Sequence, residues 1–257
     1  MLWKLLKYDF RAMGKQFSLI WLAALAVALV NRFALPWQED ASGISAQSDS
    51  LLAIITIMTF VAVLVAMFVT GMIFVIQRFY KGLLGDEGYL MHTLPVPTWQ
   101  LVFSKFLCAT VVTVLNGVVS VAAMLVLMPI HWTDLFQMEL WQSLVRAIAN
   151  DPDPLLYLVE FLILMLAALV LLVAMVYLSM AIGHLFQRRR ALMSVVAFFA
   201  LDIAGTVVMD LLNFLNLALF NEEGHLILWS LTLFMAVPAA VMFLATCWIL
   251  NRRLNLE

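Results

Sequence analysis

Six stretches of the chain are apolar on every helical face over a length that suits the hydrocarbon core of a bilayer: residues 17–35, 51–76, 106–130, 155–182, 191–212 and 226–250. A helix needs about 20 apolar residues to cross about 30 Å of hydrocarbon. Several runs exceed that minimum, so tilt or extension past the hydrocarbon is expected. Strands of a membrane barrel would alternate apolar and polar positions, and these runs do not. The pattern predicts an all-α, polytopic integral membrane protein with six transmembrane helices in a single transmembrane domain over residues 1–257. An Ala24-Leu25-Ala26 triplet lies inside the first run rather than after it. The run therefore reads as an uncleaved span and not as a secretory leader.

Two segments outside the runs carry their own pattern. In residues 2–15, Lys4, Lys7, Arg11 and Lys15 fall within about 80° of one another at helical spacing, and Leu2, Leu5, Leu6, Phe10 and Met13 take the other side. This predicts an N-terminal amphipathic helix in the headgroup layer, with its cations near anionic lipid, or simply a topology anchor. Asp9 sits among the apolar residues, where an acid needs a partner, expected from a basic residue of another cytoplasmic element. The second segment joins runs two and three. Gly85 can end the preceding helix, since glycine accepts a left-handed conformation. Asp86 can then cap a short helix, with Glu87 at its positive end. Pro95 and Pro97 force an extended exit, and Thr98 can cap the third span. The acids, with Tyr89 and Leu90 exposed beside them, suit a protein partner better than an anionic headgroup.

Composition agrees with the pattern. Hydrophobic residues make up 65% and charged residues 12%, against about 45–50% and about 25% in soluble domains. Too little charge is present to cover a water-facing surface, and too much apolar surface for disorder. The net charge of −2 conceals a segregation. The two termini and the loops after runs two and four hold twelve Lys and Arg, whereas the other side has only Arg32 and Arg146. The positive-inside rule then places both termini in the cytoplasm of a multi-pass protein of the cell (plasma) membrane. Nucleic acid is not an expected partner, because the chain has no basic excess. Arg188-Arg189-Arg190 reads as a topology signal or an anionic-lipid contact. Cys108 and Cys247, set in apolar runs, are expected as buried thiols.

The run Arg78-Phe79-Tyr80-Lys81, then Gly85-Asp86-Glu87-Gly88-Tyr89-Leu90, then Thr93-Leu94-Pro95-Val96 resembles the cytoplasmic loop of bacterial ABC-2 type permeases, the membrane subunits of ATP-driven exporters. Leu6-Lys7-Tyr8-Asp9-Phe10-Arg11 and Ser104-Lys105 are similar to that family too, and six spans with inward termini match its topology. The resemblance implies a coupling helix at 86–92, within the loop 85–97, that docks on a separate ATP-binding subunit through Asp86, Glu87, Tyr89, Leu90 and His92. It implies that residues 2–15 are a connecting helix, with Asp9 and Lys81 bracing the cytoplasmic elements. It implies a second permease copy or a homologous permease, and ATP and Mg in the partner subunit rather than in this chain.

No P-loop run is present, so the chain itself cannot cradle nucleotide phosphates that way. The four histidines lack ligand spacing and no metal site is expected. The adjacent acids Asp86 and Glu87 point apart and do not make a protease dyad, so no catalytic residues are expected. Inside the runs, Asp202, Asp210 and Glu160 are costly unless they face protein or water. They line a substrate path, respond to protons, or fix packing through interhelical hydrogen bonds. The corresponding alternatives for the whole chain are a proton-coupled secondary carrier using Asp202 and Asp210, or a sensor or scaffold that binds a partner and moves nothing.

Overall fold

A computed structural model describes residues 2–34, 37–40, 43–46, 51–85, 97–128, 138, 142–143, 145–146, 152–186, 188–214 and 224–252. Within them lie six long helices: α1 (Leu2–Ala34), α2 (Leu51–Phe79), α3 (Thr98–Leu127), α4 (Asp153–His184), α5 (Arg190–Phe214) and α6 (His225–Arg252). Each of the six holds a stretch long and apolar enough to cross a membrane. Between α1 and α2, strands β1 (Trp37–Asp40) and β2 (Gly43–Ala46) pair antiparallel, Trp37 opposite Ala46 and Asp40 opposite Gly43. This hairpin departs from the wholly helical expectation, because four-residue strands are too short to show a period.

Residues 2–15 are not a separate helix from the first span. They continue into it, and the buried positions Leu6, Asp9, Met13, Phe17, Ala24, Ala28 and Asn31 form one stripe at helical spacing along α1. Gly14 is the only break in propensity there, and a single glycine costs about 1 kcal/mol against alanine, too little to end a long helix. Likewise α3 begins at Thr98, well before the apolar run at Phe106. Ser104 and Lys105 stand just before that run in the sequence, yet both are buried in the helix.

The helix α2 closes in a π-turn, Tyr80–Leu84, sealed by the Gly85 amide donating to the Tyr80 carbonyl at 2.7 Å. Gly85 does end the helix, but in an extended conformation (φ −100°, ψ −166°) rather than a left-handed one. A Cβ there would lie in ordinary contact, 3.4 Å from backbone atoms of Lys81 and Tyr80.

Two compact units divide the chain. The first comprises Met1–Asp9, Val75–Thr110 and Asp151–Glu257. In it α4 packs against α5 and α6, and Leu178, Ala181 and Ile249 form a core flanked by Leu201 and Met242. Gly183 lets α4 meet α5, since a Cβ at that point would collide with Ser194. The Thr98 hydroxyl donates to Asn251 Oδ1 at 3.3 Å, which ties the start of α3 to the end of α6.

The second unit comprises Phe10–Phe74 and Val111–Asn150. Its core is Ala28, Phe60 and Ala123, with Leu25 and Leu64 against them. Polar links join its helices. Trp21 Nε1 donates to Asn116 Oδ1 at 3.0 Å, and Asn116 Nδ2 donates to the Met67 carbonyl at 3.3 Å. Gly71 leaves room for that amide, because a Cβ there would come within 2.9 Å of it. Asn31 Nδ2 donates to the Thr56 carbonyl, and Arg32 donates to the carbonyls of Val126 and Met128 at 3.0 and 2.9 Å. Arg32 thus closes the C-terminus of α3, where a cation also meets the negative end of the helix dipole.

Candidate functional site

In the first unit, Asp9 lies where the helical stripe of α1 turns inward, and it is 2% exposed. One carboxylate oxygen accepts from Arg78 at 2.6 Å and from Lys105 at 3.3 Å. The other accepts from the Ser104 hydroxyl at 3.4 Å. Arg78 ends α2 just ahead of the π-turn, and Ser104 and Lys105 sit two turns into α3. The three donors therefore belong to the two stems of the segment 86–96, and one side chain from α1 holds both stems.

Several neighbours shape this clasp. Gly82, in the π-turn, has no side chain because Lys105 passes there: a Cβ would meet Lys105 Cε at 2.7 Å and Nζ at 2.8 Å. Phe79 stacks on Tyr177 of α4 at 3.9 Å, and the Tyr177 hydroxyl donates to the Lys105 carbonyl at 3.1 Å. The Arg78 guanidinium also lies 5.6 Å from the ring centre of Tyr8, a weakly favourable cation–π contact at a partly exposed site. Two cations around one carboxylate leave the cluster formally positive. Lys105 and Asp9 are both 3% exposed at the side chain, so neither charge is relieved by water and each depends on the other.

The expected partnership of Asp9 with a base is met, but not by Lys81. Lys81 is exposed on the π-turn, and the braces are Arg78 and Lys105. Lys105 carried a signal beyond orientation and resemblance: a lysine at the head of an apolar helical run needs an acid if it is to be buried. The residues Asp86, Glu87, Tyr89, Leu90 and His92 lie outside the described residues.

A second polar cluster, also in the first unit, joins α4 to α6. Glu160 Oε2 lies 2.8 Å from His225 Nδ1, and Trp229 Nε1 donates to Glu160 Oε1 at 3.0 Å. The Tyr157 ring stacks on the His225 imidazole at 4.1 Å and 11°. Gly224 enters α6 at φ +80°, and a Cβ on it would meet the Tyr157 hydroxyl at 2.8 Å. Of the three roles considered for Glu160, the interhelical hydrogen bond is the one whose contacts are present. Its donors were missed because they lie 65 and 69 positions away; a carboxylate inside an apolar run was the signal that such donors had to exist.

Asp202 and Asp210 are both exposed on α5. The Asp202 backbone carbonyl accepts from Thr206 Oγ1 at 2.7 Å, a bond local to α5. Cys108 is buried and Cys247 half-buried. Among the described residues, no group of three His, Cys, Asp or Glu is arranged to hold a metal ion.

No family model matches the chain, no curated protein is significantly similar to it, and no solved structure matches its fold.

Proposed function

We propose that this chain is the permease subunit of an ABC-2 type exporter. In this reading its six helices cross the cell membrane with both termini in the cytoplasm, and it works beside a second permease copy or a homologous permease. A separate ATP-binding subunit docks on the segment 86–92 through Asp86, Glu87, Tyr89, Leu90 and His92, and binds the ATP and Mg. The observation that supports the reading best is the Asp9 clasp. A push on the segment 86–96 is delivered to its two stems, and Asp9 holds both through Arg78, Ser104 and Lys105. A buried, doubly paired carboxylate is a stiff joint, so displacement of the stems carries α1 with them. The acids of 86–92 meet a cytoplasmic protein and not the anionic leaflet. Nothing in this scheme requires chemistry by the chain itself.

The test is a double substitution, Asp86→Ala with Glu87→Ala, in the full complex reconstituted in vesicles. It abolishes transport-coupled ATP hydrolysis and leaves the chain inserted. Coupling equal to that of the parent overturns the assignment.

A second reading draws on Asp202 and Asp210, which are exposed on an otherwise apolar helix: a proton-coupled carrier that needs no ATPase. It requires flux that follows a proton gradient without nucleotide and is lost in Asp202→Asn.

A further inference from the structure

Between α3, α4 and α6, all within the first unit, lies an open cavity of about 400 Å³ that the clasp and the Glu160 cluster do not use. Its walls are one face of α4 (Ile163, Leu166, Ala167, Val170) and one face of α6 (Thr232, Ala236, Ala239, Ala240). Phe103, Phe106 and Phe243 close one end, with Phe243 at 6.2 Å from Phe103 and 5.2 Å from Phe106 between ring centres. Thr232 brings the one hydroxyl, and that donates to the Leu228 carbonyl at 2.7 Å. A water needs two to four polar partners, so water has no foothold here.

We infer that this groove holds one hydrocarbon chain of a bilayer phospholipid, with the lipid head at the Tyr157–Glu160–His225–Trp229 cluster. Three observations carry it. The first is length: the α4 wall from Ile163 to Val170 and the α6 wall from Thr232 to Ala240 run about 10 and about 12 Å at 1.5 Å per residue, most of the ~15 Å depth of one hydrocarbon leaflet. The second is volume. A 150 Å³ apolar cavity holds one benzene, and on that scale this groove takes roughly 15 carbons. The third is amphipathic match. Glu160 lies one turn before Ile163, and Trp229 one turn before Thr232, so the polar cluster caps the end of the groove opposite the phenyl rings. Trp and Tyr with polar tips are the side chains that sit at headgroup level. A polar head with an apolar tail fits a polar cluster above an apolar slot, and the slot does not fit a water-soluble ligand. The small side chains of Ala236, Ala239 and Ala240 keep the slot open, and Ala236 and Ala240 are exposed to its mouth.

The inference rests only on the membrane-spanning part of the proposed function, which retention of the chain in membranes after alkaline carbonate washing checks by itself. The site is tested with the full chain in phosphatidylcholine vesicles that contain phosphatidylcholine bearing a diazirine midway along one acyl chain. After irradiation, peptides covering 163–170 and 232–243 carry several-fold more label than the exposed stretch 202–208 of α5. Ala236→Phe and Ala240→Phe, made separately, each fill the slot and lower that label several-fold; label on α5 stays as in the parent. Unfolding temperatures in detergent identify a variant that fails to fold, and the parent's own labelling map stands without either variant. Label spread evenly over α4, α5 and α6 overturns the site. So does label unchanged in two folded variants, or an Ala240→Cys chain that cross-links fully to a second copy, which puts protein in the groove.

Discussion

Asp9 ties three elements of the first unit together through Arg78, Ser104 and Lys105. Its pairing is not a surface salt bridge of the kind that contributes little. With Lys105 equally buried, truncating the acid takes the carboxylate away from a cation in a place water does not reach, and breaking such a buried pair costs about 3–5 kcal/mol. Asp9→Ala therefore lowers the thermal unfolding temperature in detergent sharply, and Lys105→Met added to it recovers much of the loss, because the pair is then replaced by apolar contact. Arg78 is partly exposed and reaches solvent in either variant. If Lys105→Met gave no recovery, the loss would come from Asp9 packing and not from the broken pair. The need of Asp9 for a partner was legible from its place on an apolar face; the partner was not. Arg78 and Lys81 stand three positions apart and share a face of an ideal helix, so periodicity cannot choose between them. The π-turn at Tyr80–Leu84 makes the choice, and no local pattern announces it.

At the scale of elements, helices were the legible part, since a bilayer demands backbone bonds satisfied within each segment and apolarity all round. Their ends were less so. The start of α3 was legible in Thr98 as a cap, although the apolar run begins only at Phe106; the charged stripe of residues 4–15 suggested an independent helix where α1 runs through. Uniform apolarity also conceals which faces meet, so the links among α1, α2 and α3 had to come from the structure. Asn116 carries two of them, to Trp21 and to Met67. Interhelical hydrogen bonds in membrane proteins average about 0.6 kcal/mol, so Asn116→Ala costs about 1 kcal/mol. The measurement is equilibrium unfolding in mixed micelles. A loss of several kcal/mol would mean that the amide does more than join helices.

For the whole molecule, charge placement is the evidence for direction across the membrane. Arg32, one of two cations on the proposed outer side, is accounted for by the α3 carbonyls it closes, which sharpens the bias of the remainder. In a background lacking Cys108 and Cys247, an impermeant maleimide is expected to label Ala41→Cys on intact cells. Arg188→Cys is labelled only after permeabilisation. The reverse pattern inverts the topology and removes the segment 86–92 from the reach of any cytoplasmic ATPase. Cargo was never legible at this scale, for a physical reason. Apolar side chains of one composition serve lipid contact, helix packing and a transport path alike, and only their arrangement around a particular molecule would tell them apart.

The reach of the clasp along the chain has a consequence for how the protein is made. Asp9 and Arg78 are 69 positions apart, and Asp9 and Lys105 are 96. Ribosomes add about 5–20 residues per second, so the acid waits roughly 5–20 s after its own synthesis before its second base exists. Throughout that interval the nascent N-terminus must keep a carboxylate in water that the finished protein buries. Closure of the clasp therefore reports that synthesis has passed the first turns of α3. A chain stalled or cut before Ser104 displays an acid that the mature fold hides, a mark by which quality control can tell an unfinished copy from a finished one.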